Sequence, residues 1–302
     1  MDAESLRTFL AIYQAGGISN SATKLNRSQP AISRRIALLE DELGVPLFER
    51  VSSGVVLSQA GHVLLPHAQR VLAALGDCRD AMSALHTGTA GPISMAVVGT
   101  LAGASLTPVL KRFSSIFPAI DLHLQTANSK EVSELVRGGE MTIGLRYHHD
   151  SSAELDCDEV NCEPLRIVCS ADHKLAWKKL RSIRKLAAER WLAFPEAVKV
   201  PETSANNIFA QFQVLGISNI SWTPVDSLTA QKRLAEAGYG LAVLPISAIE
   251  DEISTGQLAT INVVSLQLAN PICVVSRRGG YLSSAAKSLI DMLKSTEKLK
   301  AS

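Results

Sequence analysis

The stretch SQPAISRRIALL, residues 28 to 39, decides how the first part of the chain folds. Ser28 is a good N-cap residue, and Pro30 falls in the first turn of the helix that follows, where a missing N–H costs no hydrogen bond. Four apolar residues at helical spacing give this helix an inward face, namely Ala31, Ile32, Ile36 and Leu39. The remaining surface therefore carries the polar side chains Gln29, Ser33, Arg34 and Arg35.

Two shorter helices are predicted before this one. The first has a single apolar stripe, formed by Leu6, Phe9, Leu10 and Tyr13, and the Gly16-Gly17 pair ends it. Ser19 is a candidate cap for the second helix, and Asn26-Arg27 supplies the tight turn into the third. Two short helices joined by a tight turn, with Gln, Ser and Arg at the start of the second, match the geometry that enters a DNA major groove.

The chemistry of these side chains suits nucleic acid. Gln pairs bidentately with adenine and Arg with guanine, whereas the helix N-terminus at Ser28 favours a phosphate. The charged residues between Ser5 and Leu39 are all basic, namely Arg7, Lys24, Arg27, Arg34 and Arg35. This local cationic surface indicates phosphate contact, although the whole chain has a net charge of only +1. The alternative is an ordinary helical hairpin with solvated arginines.

A second pattern follows from residue 64. Apolar residues step alternately by four and three along the chain, namely Leu64, Ala68, Val71, Leu75, Cys78, Met82 and Leu85. Such a seam predicts a helix over residues 59 to 86, about 40 Å long, that pairs with a second copy of itself. Pro66 predicts a bend or a late beginning of this helix. The alternative is a helix that packs on its own domain, and residues 86 to 92 read as a hinge.

The larger half alternates strands and helices from Ile93 onward, which predicts an α/β fold with largely parallel sheets. About 210 residues suffice for two lobes. Small polar residues follow the predicted strands at four junctions, namely Gly99-Thr100, Asn128-Ser129, Thr203-Ser204 and Asp226-Ser227. Because ligands bind beyond strand carboxyl ends, these junctions predict a cleft for an anion or a polar small molecule.

Two candidate residues of the cleft, Asn128 and Arg146, each allow a second interpretation. Asn128 with Glu131 fits a capping box, so Asn128 alternatively serves only as a helix cap. Arg146 directly follows an apolar strand and is the cation best placed to bind a carboxylate in the cleft. Otherwise Arg146 is a solvated surface residue.

Composition excludes several function classes. No apolar run approaches the about 20 residues that span a bilayer, and Met1-Asp2-Ala3-Glu4 lacks the basic start of a secretory signal, which predicts a cytoplasmic protein without a membrane partner. HExxH, GxSxG and GxxxxGK[ST] motifs are missing, so we expect no catalytic residue. The five cysteines show no metal-ligand spacing and read as reduced thiols, so we expect no metal or cofactor.

At this point the sequence resembles the LysR-type transcriptional regulators. The resemblance rests on Leu6-Arg7-Thr8-Phe9, Gly17-Ile18-Ser19, Ser28 to Arg34, Leu43-Gly44, Leu47-Phe48-Glu49-Arg50 and Leu57-Ser58-Gln59-Ala60-Gly61. It implies an α/β protein with a winged helix-turn-helix over residues 1–58, a linker helix and hinge over 59–90, and a two-lobed effector domain over 91–302 that is similar to periplasmic binding proteins. Lobe I then comprises 91–163 and 268–302, and lobe II comprises 164–267.

The resemblance also assigns roles to residues. It places Gln29, Pro30, Ser33 and Arg34 at DNA and makes the hairpin after Arg50, with Ser53, a wing; Ser19, Arg27, Ser28 and Arg35 complete the predicted DNA contacts. Because residues 51 to 56 carry no charge, we expect Arg50 and backbone N–H groups to hold phosphate there. The implied effector pocket is lined by Gly99, Thr100, Leu101, Asn128, Ser129, Arg146, Thr203, Ser204 and Asp226.

The resulting hypothesis is an effector-responsive transcriptional regulator with no catalytic activity. Its expected partners are double-stranded promoter DNA, a second copy in a homodimer or homotetramer, a small effector and RNA polymerase. One alternative is a two-lobed solute-binding or enzymatic protein with a helical N-terminus. Another is a regulator that senses oxidants through Cys157 and Cys162, although the neighbouring Asp156, Asp158 and Glu159 favour inert thiols.

Overall fold

A computed structural model describes residues 1–51, 54–87, 92–103, 106–195, 204–264, 266 and 268–295. The first domain contains three helices and a hairpin: α1 (Ala3–Ala15), α2 (Ile18–Lys24), α3 (Gln29–Leu43), β1 (Phe48–Val51) and β2 (Gly54–Leu57). The predicted apolar faces of α1 and α3 are confirmed for Leu6, Phe9, Ile32, Ile36 and Leu39, which form one buried core, whereas the prediction is wrong for Tyr13 and Ala31, which are exposed. Their packing fixes the direction in which α3 presents its polar surface.

Local signals set the helix ends in this domain. Asp2 caps α1 by accepting a hydrogen bond from the Ser5 N–H at 2.7 Å, and Gly16 ends α1 in the left-handed conformation. The predicted turn before α3 is confirmed, because Asn26 adopts a positive φ of 52° and Ser28 is the N-cap. Ser19 is not a cap: α2 already begins at Ile18 with Gly17 as its N-cap, so Ser19 lies inside the helix.

The long helix α4 extends over Gln59–Thr87. Pro66 predicts either a bend or a late beginning of this helix, and the late beginning is wrong. Ser58 caps the helix by accepting a hydrogen bond from the Gly61 N–H at 3.0 Å. Gly61 is required there, since a Cβ on it would lie 2.2 Å from the Leu47 carbonyl oxygen. The start of α4 is therefore fixed against the first domain.

The apolar seam of α4 divides into two parts. Ala68 is only 1% exposed and Leu64 is half-buried, because both pack into the core of the first domain. For Ala68 the prediction of a contact with a second copy is wrong, and the alternative of packing on its own domain applies; for the half-buried Leu64 that contact stays a prediction. Val71 and Met82, at 45% and 53% exposed, remain uncovered within the chain together with Leu75 and Cys78. The side chain of Leu85 lies outside the described residues.

A ten-stranded sheet runs through the described part of both lobes in the order β4-β3-β5-β12-β6-β10-β8-β9, with β11 pairing β6 and β7. The strands of lobe I are β3 (Ile93–Val98), β4 (Leu122–Ala127) and β5 (Ile143–Tyr147), all parallel. Its helices are α5 (Thr107–Ile116), α6 (Ser129–Arg137) and α10 (Ser284–Ser295). The predicted α/β alternation is thereby confirmed in lobe I.

Lobe II repeats this arrangement. Its parallel strands are β8 (Trp191–Ala193), β9 (Trp222–Pro224) and β10 (Leu241–Pro245), with β7 (Lys179–Leu180) and β11 (Leu258–Val263) on the other side of β6. Its helices are α7 (Ser204–Val214), α8 (Leu228–Glu236) and α9 (Glu250–Ser254). Each lobe encloses its own hydrophobic core, built around Phe113 in lobe I and around Trp191 and Phe212 in lobe II.

Two long strands connect the lobes. The strand β6 (Leu155–Ser170) pairs with β12 (Ala269–Arg277) as far as Pro164 and with β10 and β11 from Leu165 onward. The Leu165 N–H donates to the Leu268 carbonyl at 2.8 Å, where the two connections lie side by side. Residues at this crossing therefore lie between the two cores.

Candidate DNA interface and effector cleft

The amino-terminal end of α3 presents the polar face that the sequence predicts. Gln29, Pro30 and Arg34 are exposed, and Ser33 is half-buried beside them. Positions three and four apart share one side of a helix, so these four side chains form one surface. We call this surface, together with the exposed Arg27 and Ser28 in the preceding turn, the α3 face.

The electrostatics of the α3 face leave two cations available. Neither Arg27 nor Arg34 makes an ion pair with a residue that the structure describes, whereas Arg7 pairs with Glu4 at 3.5 Å. Lys24 donates to Gln14 at 2.6 Å. Guanidinium groups without an acidic partner are suited to phosphate oxygens and guanine edges.

Other predicted DNA contacts have varied surroundings. Ser19 is exposed in the first turn of α2, and Arg35 is half-buried. The charge of Arg35 contributes, after the hydrogen bonds from Ser5, to a lowered pKa of Asp2, so Arg35 faces the start of α1 as well as solvent. The hairpin of β1 and β2 is present as predicted, but Ser53 and the Arg50 side chain lie outside the described residues.

One residue that positions the hairpin was missed by the sequence analysis. The Glu40 carboxylate accepts hydrogen bonds from the Leu47 N–H at 2.7 Å and the Phe48 N–H at 3.3 Å, which ties α3 to the start of β1. The sequence shows Glu40 only as the first residue of an acidic run. No spacing signal reveals a side chain that binds backbone seven residues later.

The first domain and α4 also contact lobe I. Gln14 donates to Glu140 at 2.8 Å, and Asp77 of α4 pairs with Arg277 of β12 at 2.7 Å. Gly139 has a positive φ of 74°, and a Cβ there would lie 2.5 Å from the Ala73 Cβ. Lobe I thus packs directly against the linker helix through the turn after α6.

The predicted effector residues of lobe I lie at strand carboxyl ends. Gly99, Thr100 and Leu101 form a short 3-10 turn after β3, and Ser129 starts α6 after β4. Leu101 is only 1% exposed because it packs in the lobe I core, so the prediction that it lines the pocket is wrong. Asn128 makes both hydrogen bonds of the capping box with Glu131, which confirms its role as a helix cap.

Tyr147 connects these junctions, and the sequence analysis did not single it out. Its backbone N–H donates to the Ser129 hydroxyl at 3.3 Å. Its hydroxyl accepts from Thr100 at 2.9 Å and donates to the Glu163 carboxylate at 2.5 Å. Burial, and then the charge of Glu163, raise the pKa of Tyr147 far above its usual value, so the phenol remains a donor.

The same hydrogen-bonded chain reaches lobe II. Glu163 is buried where β6 leaves lobe I, and its carboxylate also accepts from the Ser247 hydroxyl, which follows β10 of lobe II. We call Thr100, Tyr147, Glu163 and Ser247 the interlobe chain. It joins the two lobes through polar groups that belong to distant parts of the sequence.

Neither interpretation of Arg146 is correct. Arg146 is 3% exposed, and its guanidinium pairs with Asp150 at 2.6 Å and donates to Ser133 at 2.8 Å. Strand alternation explains this placement, because Tyr147 points toward the interlobe chain whereas Arg146 points beneath α6. Burial raises the pKa of Asp150, but hydrogen bonds from Ser133 and Ser152 and the charge of Arg146 outweigh it and hold that pKa at about 2.

The predicted residues of lobe II are only partly described. Thr203 and the Ser204 side chain lie outside the described residues, although α7 begins at Ser204. Asp226 is exposed after β9, and Ser227 caps α8 by accepting from the Ala230 N–H at 3.4 Å. Among the residues that can be described, no cluster of three metal-ligating side chains occurs, and no helix is long and apolar enough to cross a membrane.

Together these features define a class: a helix-turn-helix DNA-binding domain joined by a long helix to a two-lobed ligand-binding half. Residues 3–62 match the family of bacterial regulatory helix-turn-helix proteins of the lysR type, and residues 86–298 match the LysR substrate binding domain. The chain belongs to the LysR family and is a DNA-binding transcriptional regulator with an effector-binding domain.

Full-length relatives agree with this assignment. The transcriptional regulator CbbR of Rhodospirillum rubrum is 27% identical over 290 residues, which cover 96% of this chain and 94% of the relative. The structure of full-length CbnR with its target DNA matches with a TM-score of 0.64 at 24% identity, covering 98% of this chain and all of that chain. The OxyR C206 mutant of Corynebacterium glutamicum matches with a TM-score of 0.61 at 25% identity, covering 98% and 92%. These relatives do not favour the solute-binding or enzymatic alternative.

Proposed function

We propose that this chain acts as a homodimer or homotetramer that places the α3 face in the major groove of promoter DNA. Its binding to DNA changes when a small effector occupies the cleft. The α3 face carries this proposal, because two exposed arginines and Gln29 share one surface at a helix N-terminus. The solved CbnR complex with target DNA supports DNA as the partner.

The second copy is proposed to bind along the exposed part of the α4 seam. Val71, Leu75 and Met82 continue one helical stripe, and the first domain does not cover them. A pair of copies joined there carries two α3 faces, which matches DNA sites made of two half-sites.

The effector is proposed to be a small polar or anionic molecule bound beside the interlobe chain. Thr100, Ser129 and Ser247 offer hydroxyl groups near the crossing of the lobes. Because Arg146 is already paired with Asp150, recognition by hydrogen bonds fits these residues better than recognition by that cation. We propose no cofactor and no catalytic step.

Helix α6 offers a route from the effector to DNA. Its first residue, Ser129, accepts a hydrogen bond from Tyr147 at the cleft, and the turn after its last residue packs on α4 through Gly139. Nine residues make a rigid connection about 13 Å long. A change of the cleft that moves α6 therefore displaces α4 and, with it, the α3 face.

By the same proposal the regulator contacts RNA polymerase at promoters in the cytoplasm.

The DNA arm of the proposal is tested by selecting bound duplexes from a random pool with the full-length protein. We expect enrichment of a sequence with two related half-sites, and a selected pool no different from the input refutes the DNA role.

The effector arm is tested by thermal-shift screening of the full-length protein against small carboxylates, amino acids and polyols, since a ligand bound only by the native state raises the melting temperature. We expect a stabilising compound whose effect is lost in Tyr147→Phe and kept in Tyr239→Phe, where the ring is exposed. A shift that survives Tyr147→Phe places the ligand elsewhere.

A further inference from the structure

Lobe I contains a cavity that is separate from the interlobe chain. Its volume is about 770 Å³, and its walls are the 149–153 loop, the start of β6, and parts of β12 and α10. None of the four residues of the interlobe chain lines it. The thiol of Cys157 lies in this wall among charged side chains of both signs, the basic ones being His149, Arg278, Lys287 and Lys294 and the acidic ones Asp150, Asp156, Asp158 and Asp291.

The Cys157 sulfur has hydrogen-bond donors on two sides. The Asp150 backbone N–H donates to Sγ at 3.3 Å, and the Cys273 thiol on the adjacent strand β12 forms a second hydrogen bond with it. Hydrogen bonds to sulfur stabilise the thiolate, and the thiolate is the reactive form of cysteine. Cys273 is buried, so only Cys157 of this pair reaches the cavity.

The charges around this pair favour an ionised Cys157. The hydrogen bond from Cys273 lowers the pKa of Cys157 despite partial burial, and His149 and Arg146 act in the same direction. The same hydrogen bond, burial and the carboxylate of Glu159 raise the pKa of Cys273. One proton is thus retained between two thiols, and it stays on Cys273.

Of the three acids expected to keep Cys157 inert, Asp156 and Asp158 are held by cations, and for Glu159 the expectation stays. Asp156 pairs with Arg278 and Asp158 pairs with Lys294, each at 2.8 Å, so both carboxylates are neutralised by cations. Their effect on the thiol is correspondingly small.

Cys162 is not the partner of Cys157. Both residues lie on β6, and five residues of an extended strand span about 16 Å. A disulfide requires Cα atoms within about 7 Å. The pairing of Cys157 with Cys162 is therefore excluded in this fold, and Cys162 is an exposed thiol on the same strand.

We propose that Cys157 is a covalent modification site for small soft electrophiles, such as α,β-unsaturated carbonyl compounds, that enter the lobe I cavity. The Cys157 thiolate adds to the β-carbon and forms a C–S bond. The electron pair of the C=C bond moves onto the carbonyl oxygen as an enolate, which then takes a proton from water. The addition is redox-neutral and needs no co-reactant. It is independent of the effector cleft.

The test uses N-ethylmaleimide as the electrophile on the full-length protein at pH 6.5, with the modified fraction of each cysteine followed by peptide mass spectrometry. An exposed thiol of ordinary pKa is about 1% ionised at this pH. The lower intrinsic nucleophilicity of an acidic thiolate offsets part of its larger ionised fraction. We therefore expect Cys157 to react about tenfold faster than the free thiol N-acetylcysteine measured at the same pH, and the ratio to fall at pH 8.5.

Equal rates at pH 6.5, or faster labelling of N-acetylcysteine, overturn the proposal. A second arm compares Cys273→Ala with Cys273→Ser, which keeps a hydrogen-bond donor. We expect the alanine variant to slow Cys157 at least threefold and the serine variant to restore most of the rate, with Cys162 unchanged in both. If either variant fails to fold, the wild-type comparison alone decides. An unchanged Cys157 rate in a folded alanine variant refutes the role of Cys273.

Discussion

Arg27 and Arg34 both lie on the α3 face, but they are predicted to act on DNA in different ways. Arg34 projects from the second turn of α3 beside Gln29 and Pro30, and by the proposal it contacts base edges there. Arg27 precedes the helix in the tight turn after Asn26, and by the proposal it contacts the phosphate backbone of the duplex. We therefore expect Arg34→Ala to weaken sequence preference and Arg27→Ala to weaken binding to every duplex.

The magnitudes follow from one contact in each protomer of a dimer. Loss of one phosphate contact per half-site removes two counterion releases, which flattens the slope of log affinity against log salt by about 1.8. The affinity difference between wild type and Arg27→Ala then shrinks about tenfold when salt rises from 50 to 200 mM. Loss of a bidentate guanine contact in Arg34→Ala costs about 1–3 kcal/mol of discrimination at one base pair of each half-site.

The assay is binding to the selected duplex and to a scrambled duplex at several salt concentrations, by fluorescence anisotropy. The matched control is Arg112→Ala, an exposed arginine on α5 of lobe I, which is expected to leave affinity, slope and preference unchanged. Two results refute the reasoning: an unchanged salt slope in Arg27→Ala, or an Arg34→Ala protein that keeps full preference for the selected duplex.

Three further predictions concern stability and assembly. Folding lowers the pKa of Asp150 from 3.8 to about 2. The ionised Asp150 side chain therefore stabilises the folded protein by about 2 kcal/mol above pH 4, and this stabilisation is lost as the pH falls from 4 to 2. In calorimetry, Asp150→Asn should lower the Tm at pH 7 but hardly at pH 2. The half-buried pair of Asp77 and Arg277 should show a coupling energy of about 1 kcal/mol in a double-mutant cycle on thermal unfolding, and additive effects would contradict the contact. Leu75→Asp should convert the proposed dimer to a folded monomer in light scattering, since Leu75 is exposed within the chain, and an unchanged mass would contradict the α4 interface.

Features governed by local pattern could be predicted from the sequence. The faces of α1 and α3, the turn at Asn26 and the cap at Ser28 each depend on residues within one or two helical turns. Hydrophobic periodicity and capping chemistry act over that distance, so the helix-turn-helix was recognisable. The predicted cap at Ser19 was wrong because α2 begins at Ile18, with Gly17 as its N-cap. Residue preferences for the N-cap do not decide between starting positions one or two residues apart.

The effector cleft could be predicted only in outline. Strand alternation indicated that Thr100 and Ser129 lie at carboxyl ends of parallel strands, and both do. The interlobe chain joins residues up to 147 positions apart, and no spacing rule connects Tyr147 to Glu163 or Ser247. Arg146 illustrates the same difficulty, because its position after a strand does not tell which face of the sheet receives its side chain.

Helix α6 gives the separate parts of the molecule a common mechanical element. The first turn of α6 is held at the cleft by the hydrogen bond between Ser129 and Tyr147, and the turn after it is pressed on α4 so closely that Gly139 admits no Cβ. A close-packed contact of this kind transmits a displacement from α6 to α4, because the tightly packed atoms cannot approach each other further. Since the start of α4 is fixed to the first domain at Gly61, we expect a shift of α6 to be passed along α4 to the DNA-binding domain. The proposed coupling between effector and DNA therefore requires no contact between the effector and α4.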